Sequence, residues 1–339
     1  MPPSNTERRE AWSATGARLR LERGIVTVQI LGILASLAIL TIAGDQFVVG
    51  LARLAVMLRI RATVVGVLIA GAGTSLSELV VAGVATRQGQ PTIALGSLVG
   101  SIIVAMSLAL GCASLVSPIR IGSLTVRREA PLAVSAVTLF GLLSFGGITP
   151  WKAVVLSVAL VVVVTLLVLG ASHAATADVL ASETDEFFSV SSHRSRPAEF
   201  FRALVSLAAM VAGALLLVHS ASGLALRMGL AQGFVGLSIV ALGTDAPLIA
   251  SSIQAARRGE HDLVAGTVLG ESMFLALAGG ALVGFLGGSA GTIAPVASWA
   301  MIGVAVASWA LMARGGRITR PEAVGLLLAY FVMLALVAR

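Results

Sequence analysis

Residues 73–79 read Gly73-Thr74-Ser75-Leu76-Ser77-Glu78-Leu79, and residues 243–248 read Gly243-Thr244-Asp245-Ala246-Pro247-Leu248. Each stretch sets a carboxylate among glycine and hydroxyl residues inside a long apolar run. The two belong to an internal repeat. Gly66, Gly73, Gly89, Gly96 and Gly100 recur without a gap at Gly236, Gly243, Gly259, Gly266 and Gly270, an offset of 170 residues (73 to 243, for example). Thr74 and Thr244, Ala85 and Ala255, and Arg87 and Arg257 keep the same offset. So many coincident positions mark a duplicated unit rather than a glycine-rich accident.

The repeat is embedded in a chain of 339 residues that is 57% hydrophobic and 12% charged, with a mean hydropathy of +0.99. Soluble domains are about a quarter charged, and apolar runs of about twenty residues are what a bilayer-spanning helix needs. Strands in a membrane barrel would alternate with period two, and these runs do not. The runs cover about 25–43, 47–86, 91–116, 131–148, 151–171, 200–219, 232–256, 262–286, 290–313 and 322–338. The first is too long for the apolar core of a signal peptide and has no small-residue cleavage site, so it is kept as a spanning helix.

This organisation predicts an all-α polytopic membrane protein with ten transmembrane helices. A disordered or interfacial basic tail (1–24) precedes a first five-helix repeat (25–171), a polar linker (172–198) and a second five-helix repeat (199–339). With five helices per half, the second copy crosses the membrane in the opposite sense, the inverted-topology arrangement of many secondary transporters. The formal net charge of +7 is scattered singly over short loops, so it reads as a topology signal and not as a nucleic-acid surface. With the N-terminus outside, the inner loops and helix ends carry Arg53, Arg59, Arg61, Arg120, Arg127, Arg128, Arg194, Arg196, Arg202, Arg257, Arg258, Arg314, Arg317 and Arg320. The outer ones carry Arg87, Lys152, Arg227 and Arg339. That imbalance places both termini outside, against the arginines of the tail. The single cysteine, Cys112, excludes an intrachain disulfide and a cysteine metal cluster.

Ionisable groups inside apolar runs cost roughly 2.5–3.5 kcal/mol each on insertion scales, so they are site candidates by default. Glu78, Asp245 and Glu271 qualify. Glycine and proline near each weaken the helix, freeing backbone carbonyls that, with hydroxyl and carboxylate oxygens, can replace an ion's water shell. All-oxygen ligation suits hard cations such as Na⁺ or Ca²⁺. The bland alternative for the hydroxyls is a hydrogen bond back to the preceding helical turn.

The first motif, followed by Ala94-Leu95-Gly96-Ser97-Leu98-Val99-Gly100-Ser101, resembles the first alpha-repeat of the calcium/cation antiporter superfamily. The second, followed by Asp262-Leu263 and Gly266-Thr267-Val268-Leu269-Gly270, resembles the second alpha-repeat. The lead-in Gly44-Asp45, Gly50 and Val64-Val65-Gly66 fits as well. The resemblance implies an electrochemically driven exchanger of the plasma membrane, typically Na⁺/Ca²⁺ or H⁺/Ca²⁺, without catalysis or cofactor, whose ions bind midway between the repeats. Its partners are then inorganic cations and the lipid bilayer. The implied ligand set is Glu78, Asp245 and Glu271 with Thr74, Ser75, Ser97, Ser101, Thr244 and Thr267.

Departures from the family pattern are equally informative. The second repeat carries Leu248 where the family has glutamate. The proline before the first glutamate is Ser77, the asparagine after Ala-x-Gly is Ser97 or Thr267, and a deeper Asn or Asp becomes Ala105 or Leu275. Conversely, Asp245 and Glu271 stand where the family has serine, so carboxylates are relocated rather than abolished. Three acids at one depth cannot all remain ionised and unpaired, so they require cations or protons. The alternatives are an exchanger for a different cation and a non-transporting sensor or scaffold with the same fold. His219 reads as an interfacial histidine, Asp262 as a residue of a helix N-terminal turn beside His261, and Arg53, Arg59 and Arg61 as side chains that reach the headgroups.

Overall fold

The computed structural model describes residues 5–57, 75–122, 125–171, 196–287 and 291–337. Its helices are α1 (Asn5–Met57), α2 (Leu76–Arg87), α3 (Pro91–Val116), α4 (Ala130–Ser144), α5 (Pro150–Ala171), α6 (Arg196–Met228), α7 (Gln232–Thr244), α8 (Ala246–Arg258), α9 (His261–Gly287), α10 (Pro295–Gly315) and α11 (Arg320–Val337). Seven are long and apolar enough to cross a membrane, and α7 with α8, joined at a bend of 45°, forms an eighth such unit. The chain is thus a multi-pass helical membrane protein, and the expected count of ten spans is met in part among the described residues. α4 is a helix of 15 residues extended at its start by a wider π turn over Thr125–Glu129, and residues 58–74 of the second expected run lie outside the described residues, as does most of the expected linker.

Two expectations change. The first helix runs unbroken through Gly44-Asp45, where a gap between runs was expected, because one polar residue does not interrupt a backbone hydrogen-bonded by its own helix. Residues 5–24, expected as a disordered or interfacial tail, are the first turns of that same helix. A minor addition to the all-α expectation is an antiparallel pair of two-residue strands, β1 (Ile119–Arg120) and β2 (Arg317–Ile318), with Ile119 opposite Ile318.

The 170-residue offset reappears in the backbone. α2 starts at 76 and α8 at 246, and α3 starts at 91 and α9 at 261. π turns interrupt α3 at Ala105–Ala109 and α9 at Leu275–Gly279, and α5 and α11 start at 150 and 320. The residues that precede α2 and α8 share one conformation, Ser75 at φ −93°, ψ 0° and Asp245 at φ −89°, ψ 0°. α3 and α9 run in opposite directions. The start of α3 meets the end of α9, where a Cβ on Gly291 would lie 2.8 Å from Pro91, and past the other end of α3 the Gly122 N–H donates to Asp262 Oδ1 of α9 at 2.9 Å.

α3 is apolar on every side and its whole membrane-length window is buried, as befits a helix at the centre of a bundle. Glycine brings α7 against it. A Cβ on Gly96 would overlap the Gly233 carbonyl, one on Gly100 the Leu237 carbonyl, and one on Gly236 would lie 2.5 Å from the Ile93 carbonyl. Without a hydrophobic drive between helices in lipid, such close backbone approach is the main source of packing energy. α1 and α6 pack along each other at the periphery, and both present apolar side chains such as Leu31, Leu34, Phe201 and Leu204 outward to lipid.

Arg53 does not reach for headgroups. It donates to Glu199 Oε1 at 2.9 Å, clasping α1 to the first turn of α6, while Arg202 approaches the other Glu199 oxygen at 3.5 Å and donates to Gln46. Glu199 is fully buried.

Two substitutions test this packing by the tryptophan-fluorescence melting of the purified protein. Gly100→Val should destabilise it by about 1–3 kcal/mol through overlap with the Leu237 carbonyl and Ala241. Arg53→Ala, which leaves the buried Glu199 carboxylate only Arg202 at 3.5 Å, should cost about 1.5–3 kcal/mol, and a melting point unchanged in both would refute the account of these two contacts.

Candidate cation site

The starts of α2 and α8 and the middle of α9 bring three acids to one place. Glu78 lies in the first turn of α2, Asp245 at the bend between α7 and α8, and Glu271 in the middle of α9. One carboxylate oxygen from each lies within 4.8 Å of the others, and the residues are only 2%, 1% and 1% exposed. Glu271 and Ser101 each follow the first residue of their helix by ten positions, a rise of about 15 Å, which is half the roughly 30 Å hydrocarbon thickness. The cluster therefore sits well inside two helices long enough to cross a membrane, far from either end.

Its polar surroundings are sparse. Ser77 Oγ donates to Glu78 Oε2 at 3.0 Å. Both Asp245 oxygens, Glu271 Oε2 and Ser101 Oγ are buried without a hydrogen-bond partner among the described residues, and Ser101 lies beside Asp245. The ion pairs among the described residues are those of Glu199 with Arg53 and Arg202, so no basic side chain neutralises the trio. Two ionised carboxylates at this separation repel by about 3–4 kcal/mol at an effective dielectric constant near 20. Three such pairs, added to the burial of each charge, are unsustainable without a cation or protons. Two helix N-termini help: α2 begins beside Glu78 and α8 beside Asp245, so the partial positive charge of each is directed to the cluster.

The hydroxyls divide into groups. Thr244 Oγ1 is 3.1 Å from both the Val240 and the Ala241 carbonyls of its own helix, and it adjoins Glu78. Its proton is thus engaged while its lone pairs stay free for a cation. Ser97 donates to Ala94 O at 2.9 Å and Thr267 to Leu263 O at 2.8 Å, each the bond back along its own helix that was the bland alternative. Ser75 is fully buried at the start of α2, and Thr74 lies outside the described residues. Leu248, in place of the family's glutamate, is buried apolar core.

Other expectations resolve outside the cluster. His219 is exposed on α6, which continues past it to Met228. Asp262 lies in the first turn of α9, as expected, where its Oδ1 accepts from the Gly122 N–H of the other half instead of capping its own helix, and Arg59 and Arg61 lie outside the described residues. Sequence reasoning missed Tyr330 of α11, which is 3% exposed and near Asp245. The signal was present, since it is the chain's one tyrosine and lies within an apolar run.

Comparison with known proteins accords with this geometry. The sodium/calcium exchanger protein family matches residues 28–169 and 199–339. A putative antiporter, CaxA, of Alkalimonas amylolytica is 32% identical over 252 residues, covering 73% of this chain and 77% of that protein. The inner membrane protein YrbG of Escherichia coli is 26% identical over 243 residues, covering 71% and 75%. In fold, the chain is similar to the sodium-calcium exchanger NCX_Mj soaked with 10 mM Na⁺ and zero Ca²⁺, with a TM-score of 0.60 at 23% identity over 91% of this chain and 99% of that one. With its repeat, its broken helices and its buried carboxylates, the chain belongs to the sodium/calcium exchanger family of the calcium/cation antiporter superfamily, whose members are transporters and not enzymes.

Proposed function

We propose that this protein exchanges Ca²⁺ or a related divalent cation for Na⁺ or H⁺ across the plasma membrane by alternating access, at a site whose core is Glu78, Asp245 and Glu271. The observation that carries the reading is the convergence of three buried carboxylates within 4.8 Å of one another, with no ion-pair partner among the described residues. A Ca²⁺ ion bonds oxygen at about 2.3–2.6 Å, so one ion can bridge carboxylate oxygens at such separations. Ser101, Thr244, Ser75 and Thr74 supply further oxygens, together with carbonyls freed where the helices break. Ser97 and Thr267 belong to the proposed set through their lone pairs. No resident cofactor enters this reading.

The architecture proposed with it is ten spans in two inverted five-helix repeats, 25–171 and 199–339, joined by the linker 172–198. The offset shared by the helix starts and the opposed directions of α3 and α9 support it. So does the grouping of arginines, because β1 pairs with β2 and Gly122 with Asp262, which gathers Arg120, Arg257, Arg258, Arg314, Arg317 and Arg320 at one end of the bundle. Under the positive-inside rule that end is cytoplasmic.

The sodium-calcium exchanger of the same fold supplies the first ions to test. Charge balance favours a proton as a coupling partner. One divalent cation neutralises two of three carboxylates, and Leu248 in place of a fourth acid leaves fewer oxygens for several Na⁺ ions.

In sealed liposomes, radiolabelled Ca²⁺ uptake should be driven by an outward Na⁺ or H⁺ gradient and should fall to background in Glu78→Gln. Uptake under neither gradient, with another divalent cation taken up instead, moves the substrate, and no uptake of any cation supports the sensor or scaffold reading. Independently, Ca²⁺ at a hundredfold excess over its Kd should stabilise the protein by about 2.7 kcal/mol, a melting shift that Asp245→Asn should remove.

A further inference from the structure

A groove of about 720 Å³ runs along α2 between α6 and the last turns of α9. Its walls include Leu79, Gly83, Val211, Leu215 and Leu286, and its polar residues, Arg87 and Gln88, lie together at the end of α2. Because α2 begins beside Glu78, well inside the bundle, and ends at Arg87, the groove reaches from the interior of the bilayer to the headgroup level. Its span from Leu79 to Arg87 corresponds to a rise of about 12 Å. Val211 and Leu215 are 37% and 43% exposed, so this wall is open to lipid. Gly83 makes the room: a Cβ there would meet Leu282 and Leu286 at ordinary distances of 3.4 and 3.8 Å, and anything larger would enter the groove.

Arg87 is exposed and has no acidic partner among the described residues. Lys152, by contrast, in the first turn of α5 at this end of the bundle, is held by the carbonyls of Leu143, Phe145 and Gly147 at 2.8–2.9 Å.

We propose that this groove seats one acyl chain of an anionic phospholipid, with its phosphate on Arg87 and Gln88. Water would be unfavourable along the Leu and Val walls, and hydrocarbon fills them without cost. A guanidinium at headgroup depth is a fitting donor to phosphate and favours an anionic over a zwitterionic headgroup. The chain would lie against α2 and α9, the helices that carry Glu78 and Glu271.

The test uses the full chain in phosphatidylcholine vesicles containing trace phosphatidylglycerol, or trace phosphatidylcholine, with a photoreactive diazirine in the acyl chain. Crosslinked positions are mapped by peptide mass spectrometry. The label should concentrate on residues 79–88 and 211–215, with the glycerol headgroup preferred by about fivefold, the equivalent of one arginine's attraction to a net-anionic over a zwitterionic headgroup. Arg87→Gln should abolish that preference while groove labelling persists, and Gly83→Phe should reduce groove labelling to background. Should Gly83→Phe fail to fold, Leu215→Trp fills the same groove from the lipid-facing wall. Labelling spread evenly over all lipid-facing helices, groove labelling unchanged by the filling variant, or a headgroup preference indifferent to Arg87→Gln would overturn the proposal.

Discussion

Three carboxyl groups crowded and buried together set the terms for the rest of the structure. Burial penalises each charge and proximity penalises every pair, so the arrangement calls for a cation or protons to offset the charge. Its supports follow from that requirement. Two helices begin next to acids, offering the partial positive charge of their first turns. Hydroxyls such as Thr244 tie their protons to their own helix and leave lone pairs free. Among the described residues no basic side chain pairs with the three acids.

Holding such a site together in lipid calls for tight packing, because lipid tails are as apolar as the helices and provide no hydrophobic squeeze. The glycines of α3 and α7 answer this by letting backbones touch at Gly96, Gly100, Gly233 and Gly236. π turns in α3, α7 and α9 occur within a few residues of Ser101, Thr244 and Glu271. Such turns loosen a helix locally and recur at functional sites. Rigid crossings and softened turns thus alternate along the same helices.

Much of this was legible in the residues. The 170-residue glycine offset anticipated the matching starts of α2 and α8 and of α3 and α9, because glycine spacing is imposed by backbone contacts that a duplicated unit must keep. The three acids were legible because a charge in an apolar run has no inexpensive alternative explanation. What escaped depends on partners distant in sequence. Nothing local to Arg53 points to Glu199, nothing local to Asp262 points to Gly122, and Tyr330 looks like ordinary aromatic filling until α11 is packed beside α3. The continuity of α1 through Asp45 escaped for the opposite reason: a single polar residue looks like a boundary in a hydropathy profile, yet helical hydrogen bonds do not sense it.

The offset pairs Glu78 with Leu248, Asp245 with Ser75 and Glu271 with Ser101, so every pair contains one acid and one residue that is not. In a carrier made of inverted repeats, facing inward and facing outward are the same arrangement with the halves exchanged, and identical halves would give the two states equal energy. Complementary halves remove that degeneracy. In an exchanger built on such halves the empty protein would favour one side, and ions arriving from the two sides of the membrane would meet sites of unequal apparent affinity, which sets how fast each face works and leaves the direction of net transport to the gradients.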